Sequence, residues 1–273
     1  MVKLRRGFLE VEDLQLHYRE LPGAGPPLLV LAQCPASSAE WLITLPLLAR
    51  SRRVVALDLP GLGDSEEFRE PPLMPDYARV VAGALAALGA GPFDLLGHHT
   101  GAAVALAVAA QAPEQVRRLV FVGLPVYQRW QQRYRILGRA APNDFDTTGE
   151  AVQQGWARTA TLLREAGVAE AHLPDYTRLV WTARLQAGPY WFRPYVALAV
   201  WNEGRALLAR VPHPTLIVAV TGDTLALEAE WQAEQLPAGR VASLSRGGSY
   251  PHLGNPTELA EVVDRFLREG SLP

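Results

Sequence analysis

A tight turn between an apolar strand and a small-residue helix lies in the first half of the chain. Residues 95–101 read LLGHHTG, and the alanine-rich stretch 102–112 follows them. Two glycines flank the central His99 because so tight a turn leaves no room for side chains beside it, and the central side chain must stand clear of the backbone. The pattern therefore predicts a strand running straight into a helix, with His99 presented at the apex between them.

Short apolar runs alternate with helical patterns along most of the chain. Runs of strand type lie at residues 7–11, 14–20, 28–32, 54–57, 93–96, 119–122, 215–220 and 241–244. Buried strands that alternate with helices are typical of a parallel sheet covered by helices on both faces. We therefore predict an α/β fold with a mostly parallel central sheet flanked by helices.

Strand patterns stop between residues 125 and 210, where helical stretches rich in aromatic residues take over. We predict two units, a sheet core formed by residues 1–124 and 211–273 and a helical cap or lid inserted at 125–210. Aromatic side chains of the insertion are expected to line an apolar pocket, with the alternative that they form the insertion's own small core. The tryptophans considered for the pocket are Trp130, Trp156, Trp191 and Trp201.

Composition excludes several classes of protein. The 273 residues carry a net charge of −2, which gives no electrostatic reason to bind nucleic acid or an anionic membrane. The first residues lack the apolar core of a secretory signal, and no apolar run approaches the roughly 20 residues that span a bilayer. Cys34 is the only cysteine, which suits a reducing compartment. We predict a cytoplasmic protein that acts on a small molecule, and the sequence leaves its oligomeric state open.

Three further motifs accompany the turn at His99. They are DLPGLGDS at residues 58–65, PTLIV at residues 214–218 and GGSYPHLGNP at residues 247–256. In this order the motifs strongly resemble those of the α/β-hydrolase fold family, in its capped branch of haloalkane dehalogenases and esterases. The resemblance covers almost the whole chain, is weak in the insertion, and implies an enzyme without a metal or cofactor. It also marks the turn as a nucleophile elbow, with histidine where the family has serine.

The resemblance implies three catalytic positions. His99 takes the place of the nucleophile, Asp223 that of the acid and His252 that of the base, in the chain order that the family uses. An aspartate that accepts a hydrogen bond from one imidazole nitrogen leaves the other nitrogen free as a base, so we expect Asp223 and His252 to be hydrogen-bonded. The alternatives are that Asp223 caps the next helix and that His252 is a structural loop residue.

The loop after the strand at 28–32 departs from the family. It reads AQCP at residues 32–35, where His-Gly-x-Pro is usual. The resemblance implies that the backbone N–H groups of Cys34 and Thr100 bind a substrate oxyanion, because backbone donors tolerate a change of side chain. Gln33 would add a side-chain donor. Cys34 itself is a candidate nucleophile, although a lone cysteine at a strand end is more often an inert apolar residue.

The role of His99 stays open at the level of sequence. As a nucleophile it would form an acyl-imidazole that water hydrolyses, and as a positioning group it would hold the substrate or a water molecule while His252 acts as base. The third alternative for His99 is that the protein has lost catalysis and keeps the fold for binding. The neighbouring His98 is expected to pack to one side as a structural residue. If Asp223 and His252 form a pair, His99→Ser is expected to create weak serine-esterase activity.

Three classes of function follow from these observations. The first is hydrolysis of a small apolar ester, lactone or activated acyl compound by His99, Asp223 and His252. The second is a cofactor-free lyase or decarboxylase acting on a keto compound, and the third is a binding protein without turnover. The fold alone does not decide among them.

Overall fold

The computed structural model describes residues 3–89, 91–129, 147–188 and 191–269. Among the residues of the predicted pocket, Trp130 lies outside these ranges. The described residues form one eight-stranded sheet with the strand order β1-β2-β4-β3-β5-β6-β7-β8. Its strands are β1 (Arg5–Val11), β2 (Leu14–Leu21), β3 (Leu28–Leu31), β4 (Val54–Leu57), β5 (Phe93–His98), β6 (Val116–Val122), β7 (Thr215–Val220) and β8 (Gly239–Leu244).

The sheet is antiparallel only at one edge. Strand β1 pairs with β2 and β2 with β4 in antiparallel register, whereas the pairs β4–β3, β3–β5, β5–β6, β6–β7 and β7–β8 are parallel. The strands β3 and β4 consist only of buried aliphatic residues, as expected for strands covered on both faces. Two hydrophobic clusters lie on the two sides of the sheet. The predicted fold class is therefore confirmed.

The helices follow the strands as the apolar pattern indicates. They are α1 (Leu45–Leu48), α2 (Met74–Leu88), α3 (Thr100–Gln111), α4 (Glu150–Glu165), α5 (Leu173–Gln186), α6 (Arg193–Val200), α7 (Gly204–Leu208), α8 (Ala229–Gln235), α9 (Pro251–Gly254) and α10 (Pro256–Glu269). The pattern at 37–48 predicts one helix, but the structure has a 3-10 turn at Ser38–Trp41 followed by the short α1. The side chain of Ser37 caps that turn by accepting a hydrogen bond from the N–H of Ala39.

The described residues between β6 and β7 form helices α4 to α7 and contain no strand. Helices α4 and α5 pack on each other, and the indole N–H of Trp181 donates to the hydroxyl of Thr159 between them. Helix α5 also packs on the 3-10 turn Ser38–Trp41, and α4 packs on α9. These contacts bring the inserted helices to the edge of the sheet where its parallel strands end. Within the described ranges, no helix is long and apolar enough to cross a membrane.

Candidate active site

His99 occupies the apex of the tight turn between β5 and α3, as the sequence predicts. Its φ and ψ angles are 46° and −112°, and its N–H donates to the carbonyl of Val122 at 2.9 Å. A positive φ is uncommon for a residue other than glycine and is often found at functional positions. A Cβ atom on Gly101 would collide with the carbonyl oxygens of Leu31 and Ala32, so this flanking position has no room for a side chain.

The imidazole of His99 is paired with the carboxylate of Asp223. The distance from Nε2 of His99 to Oδ2 of Asp223 is 2.7 Å, and the two side chains are 17% and 3% exposed. The other carboxylate oxygen of Asp223 accepts a hydrogen bond from the N–H of Leu225 at 3.0 Å. An ionised aspartate requires Nε2 to carry the proton, which leaves Nδ1 of His99 with a free lone pair. Nδ1 has no hydrogen-bond partner among the described residues.

His252 faces a different carboxylate. Its Nε2 lies 3.1 Å from Oε2 of Glu40, and both side chains are almost completely buried. The ring stacks on Trp41 with 4.9 Å between ring centroids, and the hydroxyl of Thr44 donates to the His252 carbonyl at 2.7 Å. Nδ1 of His252 is buried without a hydrogen-bond partner in the described part of the chain.

The prediction that Asp223 and His252 are hydrogen-bonded to each other is therefore wrong. The acid that pairs with His252 is Glu40, and the imidazole that pairs with Asp223 is His99. The physical reason is the length of the side chain at the elbow. A serine hydroxyl at position 99 would be too short to reach the carboxylate of Asp223. The longer imidazole reaches this carboxylate and forms a hydrogen bond with it.

This arrangement changes the outcome expected for a serine at position 99. We predict that His99→Ser gives no serine-esterase activity, because Asp223 loses its imidazole and Nε2 of His252 is held by Glu40. The measurement is hydrolysis of p-nitrophenyl acetate, together with mass spectrometry after treatment with an organophosphonate. His99→Ala is the matched control, since it also removes the imidazole but adds no hydroxyl. A phosphonate adduct on residue 99 would contradict the prediction and indicate that His252 can turn towards the elbow.

His98 lies between the two acid–imidazole pairs. Its ring centroid is 4.3 Å from that of His99 and 5.0 Å from that of His252, and its edge meets Trp41. Burial, and secondarily the neighbouring His99 and His252, hold the pKa of His98 well below its ordinary value. His98 is therefore a neutral residue of the interior, which agrees with a structural role.

Two backbone donors stand beside the elbow. The N–H groups of Cys34 and of Thr100, the first residue of α3, donate to no acceptor among the described residues. The close approach of Gly101 to the carbonyls of Leu31 and Ala32 brings the start of α3 against the loop that carries Cys34. Gln33 in the same loop is 8% exposed. Unpaired N–H groups on two facing segments are suited to binding an oxyanion.

Comparisons with known proteins identify the fold family of this chain. A sequence profile of the α/β-hydrolase fold matches residues 26–253. The chain belongs to the α/β-hydrolase fold family. It is 38% identical to pyrrolizixenacetamide deacetylase of Xenorhabdus hominickii, over 97% of this chain and 99% of that protein.

Two other similarities differ in extent. The chain is 41% identical to 2-hydroxymuconate semialdehyde hydrolase of Pseudomonas sp. (strain CF600), but the match spans 37% of this chain and 37% of that protein. The crystal structure of Cfl2 from Burkholderia cenocepacia superposes with a TM-score of 0.77 at 26% identity, covering 97% of this chain and 96% of that one. Hydrolases are therefore found among the relatives of this α/β-hydrolase-fold chain.

Cys34 is built into the interior of this α/β-hydrolase fold. Its side chain is 3% exposed, and its thiol donates to the carbonyl of Trp191 at 3.0 Å. Burial raises the pKa of the Cys34 thiol well above its ordinary value, while the nearby Arg184 opposes that shift. A thiol that resists ionisation is a poor nucleophile.

We predict that Cys34→Ala retains turnover within about twofold and loses roughly 1–2 kcal/mol of stability, because one buried hydrogen bond disappears. Steady-state kinetics and denaturant unfolding measure the two effects. Inactivation of the folded wild type by iodoacetamide at the rate of a free thiol would contradict the inert role.

The described helices between β6 and β7 contact the loop that carries Cys34. Trp191 is buried beside Cys34, the hydroxyl of Tyr195 donates to the Cys34 carbonyl, and the guanidinium of Arg184 stacks 4.1 Å from the Trp191 ring centroid. Trp156 and Trp201, two other tryptophans considered for the pocket, differ from Trp191 in their surroundings. Trp156 is 39% exposed, and Trp201 lines a separate shallow cleft with residues that include Tyr127 and Leu198.

Sequence reasoning missed Glu40 and Gly123. Glu40 lies in the 3-10 turn a few residues after the loop at 32–35 and is the acidic residue in a stretch that is otherwise uncharged, which is the signal that marks it. Gly123 directly follows β6 and lies beside the His99–Asp223 pair, and its importance is visible only once the strands are assembled.

A second cluster of titratable side chains lies away from the elbow. His17, Asp58 and Asp64 have potential metal-ligand atoms within 4.8 Å of one another. However, the oxygens of Asp58 already accept hydrogen bonds from Nδ1 of His17 and from the N–H groups of Ser38 and Asp64. The guanidinium of Arg19 also lies 3.9 Å from the Asp58 carboxylate. The Asp58 carboxylate therefore has a structural role, in which it holds His17, the N–H of Ser38 and the N–H of Asp64 together, rather than the role of a cation ligand.

Proposed function

We propose that this protein hydrolyses small ester or activated acyl substrates, with the His99–Asp223 pair acting as a general base on water. The observation that carries the proposal is the 2.7 Å contact between Nε2 of His99 and Oδ2 of Asp223, which leaves Nδ1 open. Asp223 fixes the tautomer and stabilises the imidazolium that forms when Nδ1 takes a proton.

In the proposed reaction, water attacks the carbonyl carbon of the substrate while one of its protons moves to Nδ1 of His99. The carbonyl π electrons move onto oxygen, and the N–H groups of Cys34 and Thr100 donate to the oxyanion. The tetrahedral intermediate then collapses, the bond to the leaving group breaks, and the leaving group takes the proton from Nδ1. His99 returns to its neutral form, so the cycle needs no metal or cofactor.

The geometry supports a base more than a nucleophile. Nε2 of His99 is occupied by Asp223, so attack on an acyl carbon would have to come from Nδ1. That nitrogen is next to the ring carbon that bears Cβ, and the crowding hinders approach to a trigonal carbon. A water molecule needs only a hydrogen bond to Nδ1, which is much less demanding sterically.

The inserted segment 125–210 is proposed to act as a cap over this site. Contacts of Trp191 and Tyr195 with Cys34 support this role, because they join the segment to the loop that carries an oxyanion donor. The aromatic side chains favour an apolar substrate. An acyl group small enough to fit under the cap is therefore the expected substrate class.

The test is a turnover panel of p-nitrophenyl esters, lactones and β-keto acids with the wild type, Asp223→Asn and Asp175→Asn. Asp175 is an exposed aspartate of α5 and serves as the matched control. Ester hydrolysis that falls in Asp223→Asn but not in Asp175→Asn supports the proposal. A stable acyl adduct on His99 in the wild type, detected by mass spectrometry, would contradict the role of general base and show that His99 acts as a nucleophile.

A cofactor-free lyase or decarboxylase is the second candidate. The absence of a hydroxyl at the elbow favours it, because position 99 supplies an imidazole base without an attacking oxygen. His99 would take the carboxyl proton of a β-keto acid, the bond between the α-carbon and the carboxylate would break with release of CO2, and the enolate, stabilised by the two N–H donors, would take that proton back from Nδ1 onto its α-carbon. Turnover of β-keto acids without hydrolysis of any ester or lactone in the panel would select this candidate.

A further inference from the structure

Gly123 lies between the two partners of the His99–Asp223 pair. In the sheet order, β6 stands between β5, which leads to His99, and β7, which leads to Asp223. Gly123 directly follows β6, and the preceding Val122 accepts the backbone hydrogen bond from His99. A hydrogen bond from residue 99 to residue 223 therefore has to cross the carboxyl end of β6.

The space needed for that crossing exists only because residue 123 has no side chain. A Cβ atom on Gly123 would lie 2.6 Å from Cδ2 of His99, 2.8 Å from its Nε2 and 2.8 Å from Oδ2 of Asp223. Real Cβ atoms hardly ever approach other atoms this closely, and all three atoms belong to the pair itself. The backbone of Gly123 also has a φ of +64°, which glycine adopts without a steric penalty.

We propose that Gly123 is a positioning residue that admits an imidazole from the elbow to the acid of the neighbouring strand. The pair then depends on two features together, histidine at position 99 and the missing side chain at position 123. The site is accordingly built around an imidazole, rather than being a serine site with one residue exchanged. The inference concerns the geometry of the pair and stands apart from the proposed reaction.

The test compares Gly123→Ala with Gly149→Ala. Gly149 has a φ of +73° and nothing within 4 Å of its Cβ position, so alanine there meets a similarly positive φ without the collision. The spectroscopic readout is the imidazole nitrogen–proton correlation spectrum of isotope-labelled histidine. The chain has six histidines, and the signals of His99 are identified by their loss in His99→Gln.

In the wild type and in Gly149→Ala we expect His99 to show a protonated, hydrogen-bonded Nε2 and an unprotonated Nδ1. In Gly123→Ala we expect this signature to be lost. The melting temperature should fall by about 5 °C more in Gly123→Ala than in Gly149→Ala. An unchanged His99 signature in Gly123→Ala would overturn the proposal.

A stability cycle keeps the proposal testable if Gly123→Ala does not fold. In the His99→Ala background the substitution no longer meets Cδ2 and Nε2 of His99 and meets only Oδ2 of Asp223. Gly123→Ala should therefore lower the melting temperature clearly less in that background than in the wild type, and the double variant should fold even if Gly123→Ala alone does not. An equal loss of stability with and without the His99 imidazole would overturn the proposal. Loss of the signature with full turnover would instead reject the proposed function and leave the positioning role intact.

Discussion

His99→Ala is expected to lower kcat/KM by roughly 10²–10⁴-fold, the range found when a general base is removed. The substitution deletes the group that accepts the proton from water and leaves Asp223 without its imidazole. The side chain is 17% exposed, so we expect the fold to be retained. Steady-state kinetics on the best ester of the panel measure the effect, and circular dichroism checks the fold.

His172→Ala is the matched control for this experiment. His172 is an exposed histidine of the inserted segment whose ring stacks on Tyr176, and its removal is expected to leave kcat/KM unchanged. A further comparison with His252→Asn separates the two acid–imidazole pairs. If kcat/KM fell in His252→Asn and stayed at the wild-type value in His99→Ala, the base would be His252 and Glu40 would be its acid.

Asp58→Ala is expected to cost about 3–5 kcal/mol of stability, the range for removing one partner from a buried, paired charge. The carboxylate is buried and accepts hydrogen bonds from His17, from the N–H of Ser38 and from the N–H of Asp64. Its loss leaves these donors buried without an acceptor. Urea unfolding measures the change, with Asp175→Ala, an exposed ion-pair partner, as a control expected to lose at most about 0.5 kcal/mol.

The Asp58 carboxylate should also make the stability of the protein depend on pH. Burial raises the pKa of the Asp58 carboxyl, but the hydrogen bonds from His17, Ser38 and Asp64 together outweigh burial, and the net pKa of Asp58 lies below its ordinary value. A carboxyl whose pKa is lower in the folded state stabilises the fold above the unfolded pKa and loses that contribution as the pH falls through the folded value. The difference in unfolding free energy between wild type and Asp58→Ala should therefore be constant from about pH 5 to 7 and shrink below about pH 4. A difference that grows on acidification would contradict this assignment.

The sequence by itself determined the sheet and the elbow. All eight predicted strands are present, because each apolar run has the length of a strand and is bounded by turn residues. The positive φ of His99 follows from the local requirement for a tight turn between β5 and α3. The strands and the turn at His99 depend on residues that are adjacent in the sequence, so the local sequence pattern is enough to predict them.

The tertiary structure alone decided which acid meets which imidazole. His99 and Asp223 are 124 residues apart, and His252 and Glu40 are 212 residues apart. Three histidines and two acids at one sheet edge allow several pairings, and spacing along the chain does not distinguish them. The choice depends on the reach of an imidazole across the end of β6 and on the space left there by Gly123, both of which exist only when the strands lie side by side.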